Sequence, residues 1–283
     1  MAASEDAWFE AQYNARAAVP DFPAIFARTE AASRRARLDM PCYLDVAYGD
    51  GNDETLDVFP SAGASRGVLS FIHGGYWRSR DKADFSLLAR AYCPSGITVV
   101  IPNYALCPTV TVEHIIRQML KAHAWIFHHV GEYGGNADHL VVSGHSAGAH
   151  LAAMMAACDW NRYQRGLPAD LVKGALAVSG LYDLVPLRRT SMNADLRLDE
   201  NAARVASPVT YYPSRAVPVI TAVGADESAE FRRQSQLLPN HWPHCAPPTI
   251  VVPGANHFTI VERLAERRGV LFDALLGLFA GSV

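Results

Sequence analysis

The segment Val141-Val-Ser-Gly-His-Ser-Ala-Gly-Ala-His-Leu-Ala-Ala-Met154 decides the fold of this chain. It contains an apolar strand, a Gly-x-Ser-x-Gly turn centred on Ser146, and a helix of small and apolar residues. A turn of this kind between strand and helix exposes its serine hydroxyl, as a nucleophile requires, and its two glycines relieve backbone crowding. Ser146 is therefore the predicted nucleophile. The backbone N–H of Ala147, at the start of the helix, is a predicted donor to a developing oxyanion.

Apolar runs without polar alternation surround this segment, a pattern typical of strands buried on both faces of a parallel sheet. These predicted strands are 68–72, 97–101, 140–143, 175–178, 217–223 and 249–252, and the predicted helices between them are roughly 82–93, 112–130, 147–157, 228–238 and 258–279. Upstream, Tyr43–Tyr48 and Thr55–Phe59 flank a turn-rich stretch, which predicts an antiparallel hairpin. The predicted fold is therefore α/β, with a mostly parallel central sheet, an N-terminal antiparallel hairpin and helices on both faces.

The length and composition of the chain predict one domain over residues 1–283. Half of the residues are hydrophobic, which is enough for one large core, and no repeat or low-complexity linker divides them. Residues 1–40 are interpreted as an N-terminal arm followed by a helix near Pro23–Leu38. The connection over 181–215 is long, and two interpretations stay open: a surface excursion, or a small cap that covers the site.

Charge and cysteine content exclude several classes of function. The net charge of −3 gives no bulk attraction to nucleic acid or to an anionic membrane. The acidic first residues lead into no apolar run, so no secretory signal is expected, and no apolar stretch reaches the ~20 residues that span a bilayer. The five cysteines are widely spaced and form no C-x-x-C pair, so we expect reduced thiols and a cytoplasmic location. The predicted partner is a small-molecule substrate, with no metal and no organic cofactor, and a homodimer stays open.

A second motif, His73-Gly-Gly-Tyr-Trp77, follows the first predicted strand of the parallel series. His-Gly-Gly at this position presents backbone N–H groups to an oxyanion, so Gly74 and Gly75 join Ala147 as candidate donors. His73 is expected to brace the loop by hydrogen bonding. Tyr76 and Trp77 either form an aromatic floor for substrate or serve plain packing, and both interpretations stay open.

The general base and its acid follow the last two predicted strands. His257 comes directly after the final strand, at the sheet edge where the carboxyl ends of parallel strands meet, whereas His241 and His244 precede that strand. An acid is needed to orient the imidazole and should follow the preceding strand. Asp226 and Glu227 both stand there and spacing alone does not separate them. Glu230 is interpreted as a charge on a helix face.

With these motifs in place, the chain resembles the kynurenine formamidases (arylformamidases) and their bacterial esterase relatives within the α/β-hydrolases. The resemblance rests on His73–Trp77, on the elbow Gly144–Gly148 with the following Ala-His-Leu, and on Val223–Ser235. It covers most of the chain, because 13–16, 103–108 and 179–184 also match. In the family's acid segment the acid directly precedes Ser, which favours Glu227 over Asp226, although the family carries Asp at that position.

The resemblance implies a serine hydrolase that cleaves a small acyl group through an acyl-enzyme, acting on N-formylkynurenine or a similar aryl formamide. A short-chain carboxylesterase with the same triad is the first alternative, and a non-catalytic small-molecule-binding homologue is a remote one. The substrate-binding candidates are Tyr76, Trp77, His145 and Tyr182. A charged substrate tail has four candidate partners, Arg78, Arg80, Asp183 and Arg188, but these residues are interpreted as exposed surface charge.

Overall fold

A computed structural model describes residues 2–213 and 215–280, with side chains described from Glu5 onward. Met1, Ser214 and residues 281–283 lie outside the described residues. The two ends of the predicted domain 1–283, and one residue of the 181–215 connection, therefore fall outside the description.

The strands of the described chain form one eight-stranded sheet in the order β1-β2-β4-β3-β5-β6-β7-β8. The strands are β1 Tyr43–Ala47, β2 Thr55–Phe59, β3 Gly67–Ile72, β4 Ile97–Pro102, β5 Leu140–His145, β6 Val172–Val178, β7 Val219–Gly224 and β8 Ile250–Val252. β2 pairs antiparallel with both β1 and β4, and the remaining pairs are parallel. The predicted mostly parallel sheet with an N-terminal hairpin is confirmed.

Helices cover both faces of this sheet. The α-helices are α1 Ala2–Tyr13, α2 Ala15–Ala18, α3 Phe22–Asp39, α4 Leu87–Tyr92, α5 Val112–His129, α6 Ala147–Ala157, α7 Trp160–Tyr163, α8 Asn193–Leu196, α9 Glu200–Val205, α10 Ala229–His241, α11 Thr259–Leu264 and α12 Val270–Ala280. Short 3₁₀ turns occupy Lys82–Phe85, Cys93–Ser95, Val130–Tyr133, Ala137–His139, Val185–Arg189 and Pro208–Thr210.

Alternation along the strands divides the core into two layers. Val68 and Ile72 of β3 pack with α5 and α6, whereas Leu69 and Phe71 pack with α4, α11 and α12. Successive side chains of a strand point to opposite faces, so one continuous apolar run supplies both layers. The two-sided cover of helices is therefore the direct reason why these strands lack polar alternation.

Two predicted helices and the predicted N-terminal arm differ from the structure. The predicted helix 258–279 is two helices, because Arg268 adopts a left-handed conformation, with φ of 67°, in the break between them. The predicted helix 82–93 begins as a 3₁₀ turn, and at its junction with α4 the Leu87 N–H donates to Ser33 Oγ of α3. The predicted N-terminal arm is itself helical and forms α1 and α2.

The sheet brings every predicted site segment to one edge. β3, β5, β7 and β8 are parallel, and Ile72 aligns with Gly144 while Gly224 aligns with Val252. The segments that follow these strands therefore meet at the carboxyl edge, where α/β sheets place their sites. Among the described helices, none has both the length and the apolar character needed to cross a membrane.

Candidate functional site

Ser146 lies on a strained turn between β5 and α6. Its φ of 57° and ψ of −120° are unusual for a residue with a side chain, and its N–H donates to the Val178 carbonyl at 2.8 Å. A Cβ on Gly144 would stand 2.2 Å from the Gly148 oxygen, and one on Gly148 would stand 2.0 Å from the Ile72 oxygen. The two glycines of the motif are therefore required by close backbone packing around the serine.

The side chains of Ser146, His257 and Glu227 form a hydrogen-bonded chain. His257 Nε2 lies 3.0 Å from Ser146 Oγ, and His257 Nδ1 lies 2.7 Å from Glu227 Oε2. The carboxylate can only accept, so Nδ1 carries the ring proton and Nε2 is left to accept from the serine hydroxyl. All three side chains are buried. This arrangement can deprotonate the serine as it attacks a carbonyl carbon.

Glu227 is the carboxylate that the structure places at His257, while Asp226 is exposed. The other oxygen of Glu227 accepts from Ser179 Oγ at 2.6 Å and from the Gly224 N–H at 2.7 Å. These two donors fix the carboxylate and satisfy its charge in a buried position. Sequence spacing does not decide between Asp226 and Glu227 as the partner of His257. The structure does, because only one of the two adjacent side chains turns inward.

His257 is held by rings on several sides. The Phe231 ring lies 4.2 Å from it and the Phe258 ring 5.4 Å, measured between centroids. His145 Nε2 donates to the His257 carbonyl at 2.7 Å, and burial followed by the nearby His257 lowers the pKa of His145 well below its usual range. His145 is therefore a neutral group that lines the cavity and anchors the His257 backbone.

The predicted oxyanion donors lie beside the serine. A Cβ on Gly74 would stand 3.1 Å from Ser146 Cβ, so this glycine permits the loop to approach the nucleophile. In the described part of the chain, the N–H groups of Gly74, Gly75 and Ala147 have no hydrogen-bond acceptor. Free N–H groups at this position are available to an oxyanion.

His73 braces the oxyanion loop, as expected from the sequence. Its ring nitrogens lie 2.8 Å from the Gly74 carbonyl and 3.0 Å from Asn103 Oδ1, and the ring stacks on Tyr104 at 4.1 Å. Burial lowers the pKa of His73 to about 4. The Tyr104 hydroxyl donates to the His73 carbonyl at 2.8 Å, so the loop is tied to the end of β4 on both sides.

The other substrate-binding candidates divide into two groups. Tyr76 lines the cavity, and its hydroxyl donates to the Tyr13 carbonyl at 2.6 Å. Trp77 and Tyr182 are fully buried and are absent from the cavity wall. Trp77 packs edge-on against His150, so the packing interpretation applies to it. The expectation that Trp77 and Tyr182 touch substrate is therefore not supported by their positions, because both residues point into the core.

Two further sequence interpretations need correction. Glu230 is a buried carboxylate that accepts from the Tyr13 hydroxyl at 2.7 Å and pairs with Arg233 at 2.8 Å, rather than a charge on an open helix face. Arg78 and Arg80 line the cavity instead of lying on a remote surface. Tyr13 of α1 covers Glu230 and Glu30 of α3 pairs with Arg80, and no sequence pattern signals these contacts.

A cavity of about 80 Å³ opens onto Ser146 and His257. Its floor comes from the strand-edge segments, and much of its wall comes from the N-terminal helices: Asn14, Ala15, Arg16, Ile25, Phe26 and Thr29. Met192, in the 181–215 connection, also contributes. Sequence reasoning missed the N-terminal wall. The similarity of 13–16 to a family segment was the available signal, but it indicated no role.

The described side chains that could bind a metal ion do not cluster. Within residues 2–213 and 215–280, no group of three or more His, Cys, Asp or Glu side chains could hold a metal ion.

Comparison with known proteins places this geometry among hydrolases. The BD-FAE family model matches residues 56–241. The chain is 31% identical over 260 residues to the kynurenine formamidase of Salmo salar, covering 88% of this chain and 86% of that protein. It is 26% identical over 303 aligned residues to the esterase LipQ of Mycobacterium tuberculosis, an alignment that covers 90% of this chain and 71% of that protein. A crystal structure from Silicibacter sp. tm1040, provisionally described as a thioesterase, matches with a TM-score of 0.85 at 28% identity. The match covers 94% of this chain and 98% of that chain.

Proposed function

Because the chain belongs to the BD-FAE family and to the kynurenine formamidase family of serine α/β-hydrolases, we propose that it removes the formyl group from an aryl formamide of the N-formylkynurenine type. The enzyme class, a serine hydrolase of the formamidase or esterase type, follows from the same relatives. The observation that carries the proposal is the hydrogen-bonded chain from Ser146 through His257 to Glu227 at the bottom of the cavity.

In the proposed acylation step, Ser146 Oγ bonds to the formyl carbon while its proton passes to His257 Nε2. The carbonyl oxygen becomes an oxyanion, and the free N–H groups of Ala147 and of Gly74 or Gly75 donate to it. One such donor typically contributes about 3 kcal/mol to lowering the barrier. Glu227 stabilises the imidazolium that forms, because its Oε2 already accepts from Nδ1.

The intermediate then collapses by breaking the bond between the formyl carbon and the aryl nitrogen. His257 Nε2–H gives its proton to that nitrogen, and an arylamine leaves. Water attacks the formyl ester on Ser146 and gives one proton to His257, which returns it to the serine oxygen as formic acid departs and ionises to formate. An arylamine next to a ring ketone departs more readily than an alkyl amine, since its lone pair is conjugated.

A short-chain carboxylesterase is the second candidate, favoured by the identity to a mycobacterial esterase over 90% of the chain. The same three side chains would cleave an ester by the same steps.

Side-by-side hydrolysis of N-formylkynurenine and p-nitrophenyl acetate tests the proposal, with wild type, Ser146→Ala and the control Ser61→Ala. Ser61 follows β2, and its hydroxyl donates to the Gly63 carbonyl, away from the cavity wall. We expect a high kcat/KM on the formamide that Ser146→Ala abolishes and Ser61→Ala retains. Efficient ester cleavage with negligible formamide turnover would make the protein an esterase. Activity that survives in folded Ser146→Ala would refute the serine mechanism.

We also propose a cytoplasmic location and a small-molecule substrate, with no nucleic-acid or membrane partner and a homodimer left open. The five cysteines support the location, because each is a free thiol and three of them, Cys93, Cys107 and Cys245, are buried. Fractionation of the native source cells, with immunodetection of the protein, tests the location.

A further inference from the structure

We propose that Arg16 is the group that binds a carboxylate on the substrate, so that the enzyme selects anionic aryl substrates over neutral ones. The inference rests on the proposed function, because it concerns the same cavity. It adds a specificity-determining residue and a chemical class: an acyl arene that carries a carboxylate apart from the bond that is cleaved.

The charge of the cavity wall points to an anion. Three arginines line it, Arg16, Arg78 and Arg80, and no aspartate or glutamate of the described chain does. Burial, followed by the neighbouring guanidinium groups of Arg78 and Arg80, lowers the pKa of Arg16. A concentration of one charge sign in a concave site attracts substrates of the opposite sign.

Two of these arginines already have carboxylate partners. Arg78 pairs with Asp195 at 2.5 Å. Arg80 pairs with Glu30 at 2.8 Å and with Asp84 at 3.0 Å, and its guanidinium lies over the Phe26 ring at 4.2 Å. Their donors and charge are therefore largely committed to holding the cavity wall.

Arg16 has no carboxylate partner within residues 2–213 and 215–280. Its Nη2 donates to Ser79 Oγ at 3.3 Å, and its guanidinium lies 5.6 Å from the centroid of the Phe22 ring. These contacts hold the side chain and use one of its five N–H donors. A guanidinium presents two parallel donors that match a carboxylate, so the remaining donors suit such a ligand.

The position of Arg16 also relates it to the reaction. It follows Asn14 and Ala15, which line the cavity too, on the short α2 between the two longer N-terminal helices. The same cavity contains Ser146 and His257. A substrate with its acyl carbon at Ser146 can therefore direct a carboxylate on its leaving group toward Arg16. N-formylkynurenine carries such a carboxylate.

The test compares matched substrate pairs that differ only in a carboxylate: 2-formamidobenzoate against formanilide, and 2-acetoxybenzoate against phenyl acetate. The variants are Arg16→Gln, Arg16→Lys and the control Arg162→Gln on α7, which removes an exposed arginine away from the cavity wall. For Arg16→Gln we expect the ratio of kcat/KM, anionic over neutral, to fall about tenfold, mainly through KM. Arg16→Lys should recover part of this ratio, because it keeps the charge but not the paired donors.

Ionic strength supplies a second readout. The wild-type preference for the anionic substrate should decrease as salt is raised from about 0.01 M to about 1 M, and the preference of Arg16→Gln should respond less. An unchanged ratio in folded Arg16→Gln, or an equal fall in Arg162→Gln, would overturn the inference. If neither formamide is cleaved while the ester pair shows the Arg16 effect, the formamidase proposal fails and the role of Arg16 stands.

Discussion

Replacement of Glu227 by Gln tests the site most sharply, because the structure dictates how the amide must sit. Oε1 of Glu227 accepts from Ser179 Oγ and from the Gly224 N–H. A backbone N–H can only donate, so the amide oxygen must occupy this position and the NH₂ must face His257. The NH₂ then meets Nδ1, at a position where the carboxylate oxygen now lies 2.7 Å away. His257 must therefore place its proton on Nε2, which can no longer accept from Ser146.

An imidazole in the wrong tautomer typically costs a serine triad a factor of about 10⁴ in kcat, equivalent to about 5.5 kcal/mol in the barrier. Glu227→Asp keeps the charge but retracts the carboxylate by about 1.5 Å, so it cannot reach His257 and its two anchoring donors together. We expect a smaller loss there, on the order of 10²-fold.

Steady-state hydrolysis of p-nitrophenyl acetate measures both effects, with thermal unfolding to establish that each variant is folded. The matched control is Asp226→Asn, since Asp226 is the exposed neighbouring acid and its side chain has no partner in the described structure. We expect Asp226→Asn to retain wild-type kcat within about twofold. Folded Glu227→Gln with more than a tenth of wild-type kcat, or a large loss in Asp226→Asn, would refute the reasoning.

Three further predictions concern stability and are measured by urea unfolding. Gly148→Ala puts a Cβ 2.0 Å from the Ile72 carbonyl and should cost about 3 kcal/mol or more, whereas Gly277→Ala on α12 meets open space and should stabilise by about 0.5–1 kcal/mol; equal stability of the two variants would contradict the packing argument. Tyr13→Phe removes a hydroxyl that donates to Glu230 at 2.7 Å and should cost about 1–3 kcal/mol, and no loss would show that water replaces it. Burial lowers the pKa of three histidines to about 4: His73, His123 and His150. The unfolded chain binds these protons near pH 6.5 and the folded chain does not, so stability should fall as pH drops from about 6.5 to about 4, by up to about 1.4 kcal/mol per pH unit for each histidine. His123→Gln should remove the contribution of one histidine from that slope. A free energy of unfolding that does not change with pH in this range would contradict the assignment of neutral buried rings.

The sequence alone determined the fold and the chemical type of this protein. The turn at Ser146 needs glycines on both sides whatever the rest of the chain does, and apolar runs without alternation belong in a sheet covered on both faces. The chain order of serine, acid and histidine then follows from parallel strands whose carboxyl ends meet at one edge. These features are local or follow from topology, so pattern and spacing are sufficient to read them.

The tertiary structure decided the choice between neighbouring side chains and the composition of the cavity wall. Glu227 and Asp226 differ by one position, and only the donors from Ser179 and Gly224 determine which acid turns inward. Trp77 stands next to Tyr76 in the sequence, yet one is buried in the core and the other lines the cavity.

Arg16 is the clearest case of a residue that sequence reasoning could not assign. It lies 130 positions before the nucleophile, on a short helix that the fold brings to the cavity together with Ile25, Phe26 and Thr29 of α3. Its lack of a carboxylate partner depends on which acids the fold places beside Arg78 and Arg80. Contacts between segments distant in sequence produce no hydrophobic periodicity and no motif spacing. The residues of the substrate-facing wall can therefore be identified only from the folded structure.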